Sequence, residues 1–464
     1  MRCSQTYTLI ILSVFIICKN IAIIKKTQND RVKNDTELSF VLPHHDPRCY
    51  YQEQGFSFTL PNCKSYVIGS KIKLIGSVDE AAAKGFFQQK RLSVRTTELL
   101  PPQRFSVGVW FWKIQHLLAD KKLKFCMILE QLLPEPEAGF ICGVVFGGTA
   151  SLPEEIQQNF RLTGLTHVLS ASGYNVSVLA GLVMILLAGV PGRWLKVGLA
   201  LTVIWSYVLM TGAGPPVLRA AIMLTINLVG VKLLFRQYHL LWSLWITALL
   251  MLILAPWYVR SLSFWLSLTA TAGIILFLPI LEGSQGIFWR WETSQVLPDL
   301  GEAGVNHQLL AQPATQAPIR LLFTRVWQTA KESLLVTLTA QLLTAPLILV
   351  TFGELSVISP VANTLLLWLT PLVTIGGLLL MLLGSGLQLL PLLWSVLAPT
   401  LAWLCWLPAH FFLEGVSWLG RFEWGLVSWQ WSWAAVFLWW SGLIAWLIHF
   451  KREQFRENSL KRSV

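Results

Sequence analysis

Nine apolar runs occupy most of the chain beyond residue 173, at 174–190, 195–211, 217–235, 240–255, 261–281, 334–352, 361–384, 391–413 and 430–449. Each is long enough, as a helix, to cross about 30 Å of hydrocarbon. In lipid a spanning segment has to satisfy its own backbone polar groups, and for runs of this length that means α-helix. The composition agrees: 54% of residues are hydrophobic and 13% are charged, against about 25% charged in soluble domains. A disordered tail protein, a disulfide-rich miniprotein and an ordinary cytosolic enzyme are excluded. The expected fold class is a polytopic α-helical membrane protein.

A tenth run, YTLIILSVFIICKNIAII at residues 7–24, is interrupted by Lys19 and Asn20. A signal anchor and a cleaved signal peptide both fit it, and the lack of a clear small-residue cleavage site favours the anchor. We therefore assign 1–29 to a membrane anchor. Residues 66–78 (YVIGSKIKLIGSV) and 90–99 (KRLSVRTTEL) alternate apolar and polar residues, the period of half-exposed strands. A small β-barrel domain over 30–105 fits better than a helical bundle. Residues 106–160 read as an amphipathic helical connector with a Pro-punctuated break at Leu133–Pro136. The membrane domain then covers 161–449, and 450–464 is a basic tail.

The formal charge is +12, and its placement sets orientation through the positive-inside rule. Lys451, Arg452, Arg456, Lys461 and Arg462 form the heaviest basic cluster beside a span. A cytoplasmic tail and ten spans put the N-terminal domain outside, together with the loops at 212–216, 256–260 and 353–360. Lys25, Lys26, Arg31 and Lys33 then lie outside as well, against the rule.

In an external domain disulfides persist. Cys49 and Cys63 bracket a strand-like segment and are the preferred pair; Cys126 and Cys142 offer a pairing instead or as well, and free structural thiols are the alternative. Cys3, Cys18 and Cys405 lie in or beside apolar runs and read as core residues.

No chemistry-bearing motif stands out. The eight histidines form neither an H-x-H-x-D-H cluster nor an H-E-x-x-H face, so no metal or other cofactor is expected. His44-His45-Asp46 precedes Pro47 in what reads as a solvated turn. There is no P-loop, no G-x-G-x-x-G and no G-x-S-x-G elbow. The chain reads as a conduit or receptor and not as a self-contained catalyst.

Four stretches break the apolar pattern. In GLTHVLSASGYNVSVLAG (164–181) small and polar residues, among them His167, Ser170, Ser172, Gly173 and Asn175, stand where the chain enters the bilayer. Non-helical backbone at that depth lines a cavity or is buried in protein; a tight helix–helix corner is the plainer alternative. In TGAGPPVLRAA (211–221), Arg219 falls in a first helical turn, where it either snorkels to the interface or contacts an anion. SLSFWLSLTATAGI (261–274) carries a hydroxyl strip that includes Ser263, with Trp265 beside it; packing through small residues explains it as well as a pore lining does. QLLTAPLILVTFGELSVISPVANTLLLWLTP (341–371) is interrupted at Gln341, Pro346, Gly353, Pro360 and Asn363, as helices broken around a site are.

In this order the four stretches resemble the competence domain of the ComEC-type DNA-uptake channels. GLTHVLSASGYN occupies the place of that family's G-L-[ST]-H-L-L-A-[IV]-S-G-L-H element. AGPPVLRA (213–220) is similar to A-[GS]-x-x-x-x-R-A, and SLSFWLSLTATAGI to S-x-x-F-Q-L-S-F-x-A-x-x-G-I. TAPLILVTFGELSVISPVANTLL (344–366) is similar to T-x-P-L…F-G-x-x-S…N-x-L. The likeness covers about residues 135–415, and the upstream strands resemble the family's OB-type domain. Departures are Asn175 for the second motif histidine, Tyr174 for leucine and Trp265 for glutamine. Asn keeps the hydrogen bonding of that position but not its proton chemistry.

The resemblance implies a channel that passes single-stranded DNA into the cytoplasm, embedded in membrane lipid, with a DNA receptor and a helicase as partners. Many members continue into a metallo-β-lactamase-like domain; none is recognisable before Val464, which implies a separate nuclease or a minimal channel. In an OB-type domain Lys71, Lys73, Lys90, Arg91 and Arg95, with Tyr66 for stacking, are candidate strand contacts; a solvated barrel face is the alternative. His167, Ser170, Ser172, Gly173, Asn175, Arg219, Ser263, Trp265, Gln341 and Asn363 are the pathway candidates. A polytopic membrane enzyme or a lipid or glycan carrier of the envelope is the competing class.

Overall fold

The computed structural model describes residues 36–41, 50–53, 56–59, 71–79, 90–99, 122, 124–148, 152–233, 239–282, 318–386 and 391–462. The apolar run at 7–24, the pair Cys49–Cys63 and Tyr66 lie outside the described residues.

The N-terminal part is a five-stranded sheet. Strands β1 (Thr36–Val41), β2 (Tyr50–Glu53), β3 (Phe56–Thr59), β4 (Lys71–Asp79) and β5 (Lys90–Leu99) lie in the order β1-β4-β5-β3-β2. The β3–β5 pair is parallel and the others are antiparallel. Both alternating stretches of the sequence form strands, and the register qualifies the basic residues on them. Lys73 stands opposite Glu98 and Arg91 opposite Asp79. Lys71 and Lys90 stand opposite Val41 and Phe56. Arg95 falls at the register shift between Ile75 and Gly76, where it has no partner residue on β4.

The rest is helical. After a helical stretch over 124–132 come α1 (Glu137–Phe146), α2 (Glu154–Leu162), α3 (Gly173–Leu186), α4 (Arg193–Met210) and α5 (Pro215–Asn227), which continues as a π-helix over Leu228–Leu233. They are followed by α6 (Leu240–Leu254), α7 (Leu262–Glu282), α8 (Pro318–Phe352), α9 (Ser359–Leu366), α10 (Thr370–Gly386), α11 (Pro391–Gly420) and α12 (Trp433–Arg462). Strands β6 (Glu354–Ser356) and β7 (Leu426–Ser428) pair antiparallel. Among the described residues five helical segments are long and apolar enough to cross a membrane: 193–210, 262–281, 327–352, 359–380 and 433–450. α1, α3, α5 and α6 are shorter apolar helices. This is a polytopic helical membrane protein.

Local sequence sets where these helices start and stop. Ser172 caps α3, its Oγ accepting the Asn175 N–H at 3.4 Å, as short oxygen side chains do at helix N-termini. Pro215 and Pro216 open α5, where proline's missing N–H costs nothing. α2 ends on Gly164 with φ +70°: the Gly164 and Leu165 N–H groups donate to Arg161 and Phe160 carbonyls, a Schellman stop. α4 ends the same way on Gly212 and Ala213, both with positive φ.

The core is centred on α1. Phe140, Ile141, Val144 and Val145 are fully buried, and Phe140 stacks on Phe412 at 4.9 Å and lies 5.9 Å from Phe160. Gly377 of α10 lets α1 approach closely; a Cβ there would stand 2.8 Å from Val145. Gly273 of α7 packs in the same way against the Thr339 carbonyl of α8, the small-residue contact expected between helices in lipid. Cys126 and Cys142 form a disulfide, tying α1 to the helical stretch before it.

Candidate functional site

Three of the four irregular stretches meet at one point. Gly173, at the start of α3, faces the first turn of α5: a Cβ there would lie 3.1 Å from an Arg219 guanidinium nitrogen and 3.3 Å from the Pro216 carbonyl. A side chain there would crowd the arginine. Arg219 Nε donates to Ser267 Oγ of α7 at 2.7 Å, and Nη1 lies 3.6 Å from Met223 Sδ. Among the described residues no carboxylate forms an ion pair with Arg219. A charge held among apolar helices without a counter-ion is costly.

The fourth stretch packs on the first. Ser359, which begins α9, sits against Gly164, where a Cβ would be 2.7 Å from the Ser359 Cβ. Gln341 Nε2 donates to Ser359 Oγ at 3.1 Å, and Ser356 Oγ donates to the Leu162 carbonyl at 2.7 Å. Arg161 pairs with Glu354 at 2.7 Å, an exposed link of the kind that contributes little energy. The loop between α2 and α3 thus rests on the start of α9, and the start of α3 rests on α5.

The C-terminal end of α1 lies beneath this loop. A helix end inside a bundle leaves carbonyls that need donors. Asn175 Nδ2 donates to the Val144 carbonyl at 2.6 Å, and the Tyr207 hydroxyl to the Val145 carbonyl at 2.5 Å. Lys122 Nζ reaches the Phe146 and Gly147 carbonyls at 3.5 and 3.3 Å. A cation suits a helix C-terminus, although burial holds the Lys122 ammonium below the ordinary lysine range.

Each sequence candidate now has a place. Asn175 is 1% exposed and Asn363 is 6% exposed, so neither lies on an open surface. The Oδ1 atoms of both are buried without a hydrogen-bond partner. Gln341 is half-buried on Ser359, and Trp265 is half-buried with its Nε1 donating to the Val259 carbonyl at 2.7 Å. Ser263 and Ser170 are exposed, with Ser170 Oγ donating to the His167 carbonyl at 2.9 Å. His167 is exposed, its Nδ1 3.2 Å from the Gly164 carbonyl. Gly173 and Arg219 come together; Ser263 stands apart from them on the exposed side of α7. Among the described residues no group of His, Cys, Asp and Glu is arranged to hold a metal.

Sequence reasoning missed four participants. Ser267 belonged to the hydroxyl strip, but nothing singled it out from its neighbours. Ser359 was hidden beside Pro360, and Tyr207 within an apolar run. The Val144 carbonyl is backbone and has no sequence signal.

Residues 144–453 match the family described as Competence protein. The chain belongs to that family. The match takes in all four stretches and the end of α1 on which Asn175 sits. Curated relatives include an uncharacterized protein of Aquifex aeolicus (strain VF5), 28% identical over 300 residues, covering 58% of this chain and 70% of that protein. Uncharacterized protein YcaI of Escherichia coli (strain K12) is 33% identical over 153 residues, 31% of this chain and 20% of its own length. ComE operon protein 3 of Bacillus subtilis (strain 168) is 28% identical over 165 residues, 35% of this chain and 20% of its own length. No solved structure matches the chain.

Proposed function

We propose that this competence-family protein is a channel that passes single-stranded DNA across the cell membrane into the cytoplasm. The observation that carries the reading is Arg219, held against Gly173 and Ser267 with no carboxylate partner among the described residues. A phosphodiester is the anion that a DNA strand would bring there, and a planar guanidinium binds phosphate through two parallel hydrogen bonds. The unpaired amide oxygens of Asn175 and Asn363 supply acceptors beside the pathway. Comparison with ComE operon protein 3 supports the same reading.

In this account the N-terminal sheet receives the strand outside the membrane. Its five strands, with β4 returning beside β1, suit an OB-type Greek-key barrel. Lys71, Lys73, Lys90, Arg91 and Arg95, all on β4 and β5, are the residues that would contact the strand. The Cys126–Cys142 bridge favours an oxidising exterior for the segment before the membrane block. The chain acts as a conduit, with a DNA receptor and a helicase as its partners.

The test is transformation with Arg219 variants at matched membrane levels. A charge-assisted bond worth about 1.5–3 kcal/mol predicts that Arg219→Gln lowers uptake by roughly ten- to a hundredfold. Arg219→Lys keeps the charge and loses only the fork, so it should fall between Gln and wild type. Near-normal uptake by both variants would mean that Arg219 only anchors its helix.

A further inference from the structure

The end of α1 remote from Asn175 carries a second polar contact that the channel reading does not use. Glu137, in the first turn of α1, is 5% exposed, and its Oε1 lies 2.7 Å from His410 Nδ1 of α11. The imidazole stacks on Trp406 with ring centroids 4.6 Å apart, which fixes its plane toward the carboxylate. The His410 side chain is 38% exposed. Ionisable residues inside membrane bundles are costly and mark functional sites; here two of them meet within hydrogen-bond distance.

Few other charges face the pair. Of the two helices packed most closely on α1, α10 presents no titratable residue over 370–380, and α11 adds the buried Cys405 and the exposed Glu414 one turn beyond His410. The segment before α1 adds Glu130 and Glu135. Glu135 Oε2 accepts the Gly139 N–H at 3.3 Å. Its carboxyl is pushed up chiefly by burial, with the Glu130 and Glu137 charges adding to that and the Gly139 bond opposing it. α2, packed on α11, carries Glu154, Glu155 and Arg161, the last paired with Glu354; α9 carries no titratable residue.

We propose that Glu137 and His410 form a proton-exchanging site between α1 and α11. In the proton-poor state the Glu137 carboxylate accepts the Nδ1–H of a neutral His410. A proton from water adds at Nε2 and gives imidazolium. Moving the Nδ1 proton onto Oε1 then breaks the N–H bond, forms the O–H bond, and leaves a carboxylic acid beside a neutral imidazole. The charge at the N-terminal end of α1 changes with each proton, and the other end of the same helix carries the carbonyls that Asn175 and Tyr207 hold. The inference stands independently of what crosses the membrane.

Infrared difference spectroscopy of the full chain in lipid nanodiscs, titrated between about pH 4 and pH 9 to bracket carboxyl and imidazole ionisation, tests this. A protonated-carboxyl band is expected to rise on acidification, to be lost in Glu137→Gln, and to appear at a different pH in His410→Gln. Nitrogen NMR of histidine-labelled protein should show one imidazole that titrates and vanishes in His410→Gln. The disulfide of each variant, assayed by thiol counting, reports whether it has folded. A carboxyl band unchanged by Glu137→Gln, or a His410 signal constant over the whole interval, would overturn the proposal.

Discussion

Position 175 shows what a single residue does at this site. The family pattern has histidine there, and a role in proton transfer would make asparagine a loss. The geometry instead gives the side chain a donor's task, since Asn175 Nδ2 holds the Val144 carbonyl at 2.6 Å. An imidazole N–H can serve the same carbonyl. Asn175→His should therefore fold and melt close to wild type, whereas Asn175→Leu leaves a buried carbonyl unpaired and costs about 1–3 kcal/mol. Melting of the purified protein in detergent separates the two; equal losses would contradict the donor role. Gly164 has a steric reason of its own. With φ +70° and Ser359 against it, Gly164→Ala meets a left-handed penalty of about 1–2 kcal/mol and displaces Ser359. A melting temperature unchanged by that substitution would contradict the packing described.

Among the elements, α1 was the hardest to read. Its ten residues are too few to cross the bilayer, and they follow the Pro-punctuated break at Leu133–Pro136 within what reads as an amphipathic connector. The strands β4 and β5 and the longer helices were legible because a period of two, or an unbroken apolar run, needs no knowledge of partners. Tertiary context decided what periodicity did not. The run 361–384 divides at a 3-10 turn over Leu367–Leu369 into α9 and α10, and the run 391–413 extends to Gly420. Cysteine spacing left two pairings open, and among the described residues the bridge is Cys126–Cys142. Closing a loop of this size stabilises by about 3 kcal/mol in the chain-entropy view. Cys126→Ser or Cys142→Ser should each expose one new thiol and lower the melting temperature. A thiol count unchanged by either substitution would show that the bridge does not form.

At the scale of the molecule, membrane class was plain from the sequence, while the assembly of the site was not. Order along the chain placed four irregular stretches; only packing showed that Gly173 meets Arg219 and that Gly164 meets Ser359. The proposed orientation rests on charge. A cytoplasmic basic tail and an external sheet domain predict that reporter fusions at about residues 120 and 464 report opposite sides; finding both on one side would refute ten spans. What passes through the block is the central claim, and uptake of end-labelled duplex DNA, scored strand by strand in cells with and without this protein, tests it most directly. The account predicts that one strand enters in its presence, that neither enters in its absence, and that envelope integrity is the same in both. Unchanged uptake on deletion, with a damaged envelope, would contradict it and favour an envelope enzyme or carrier.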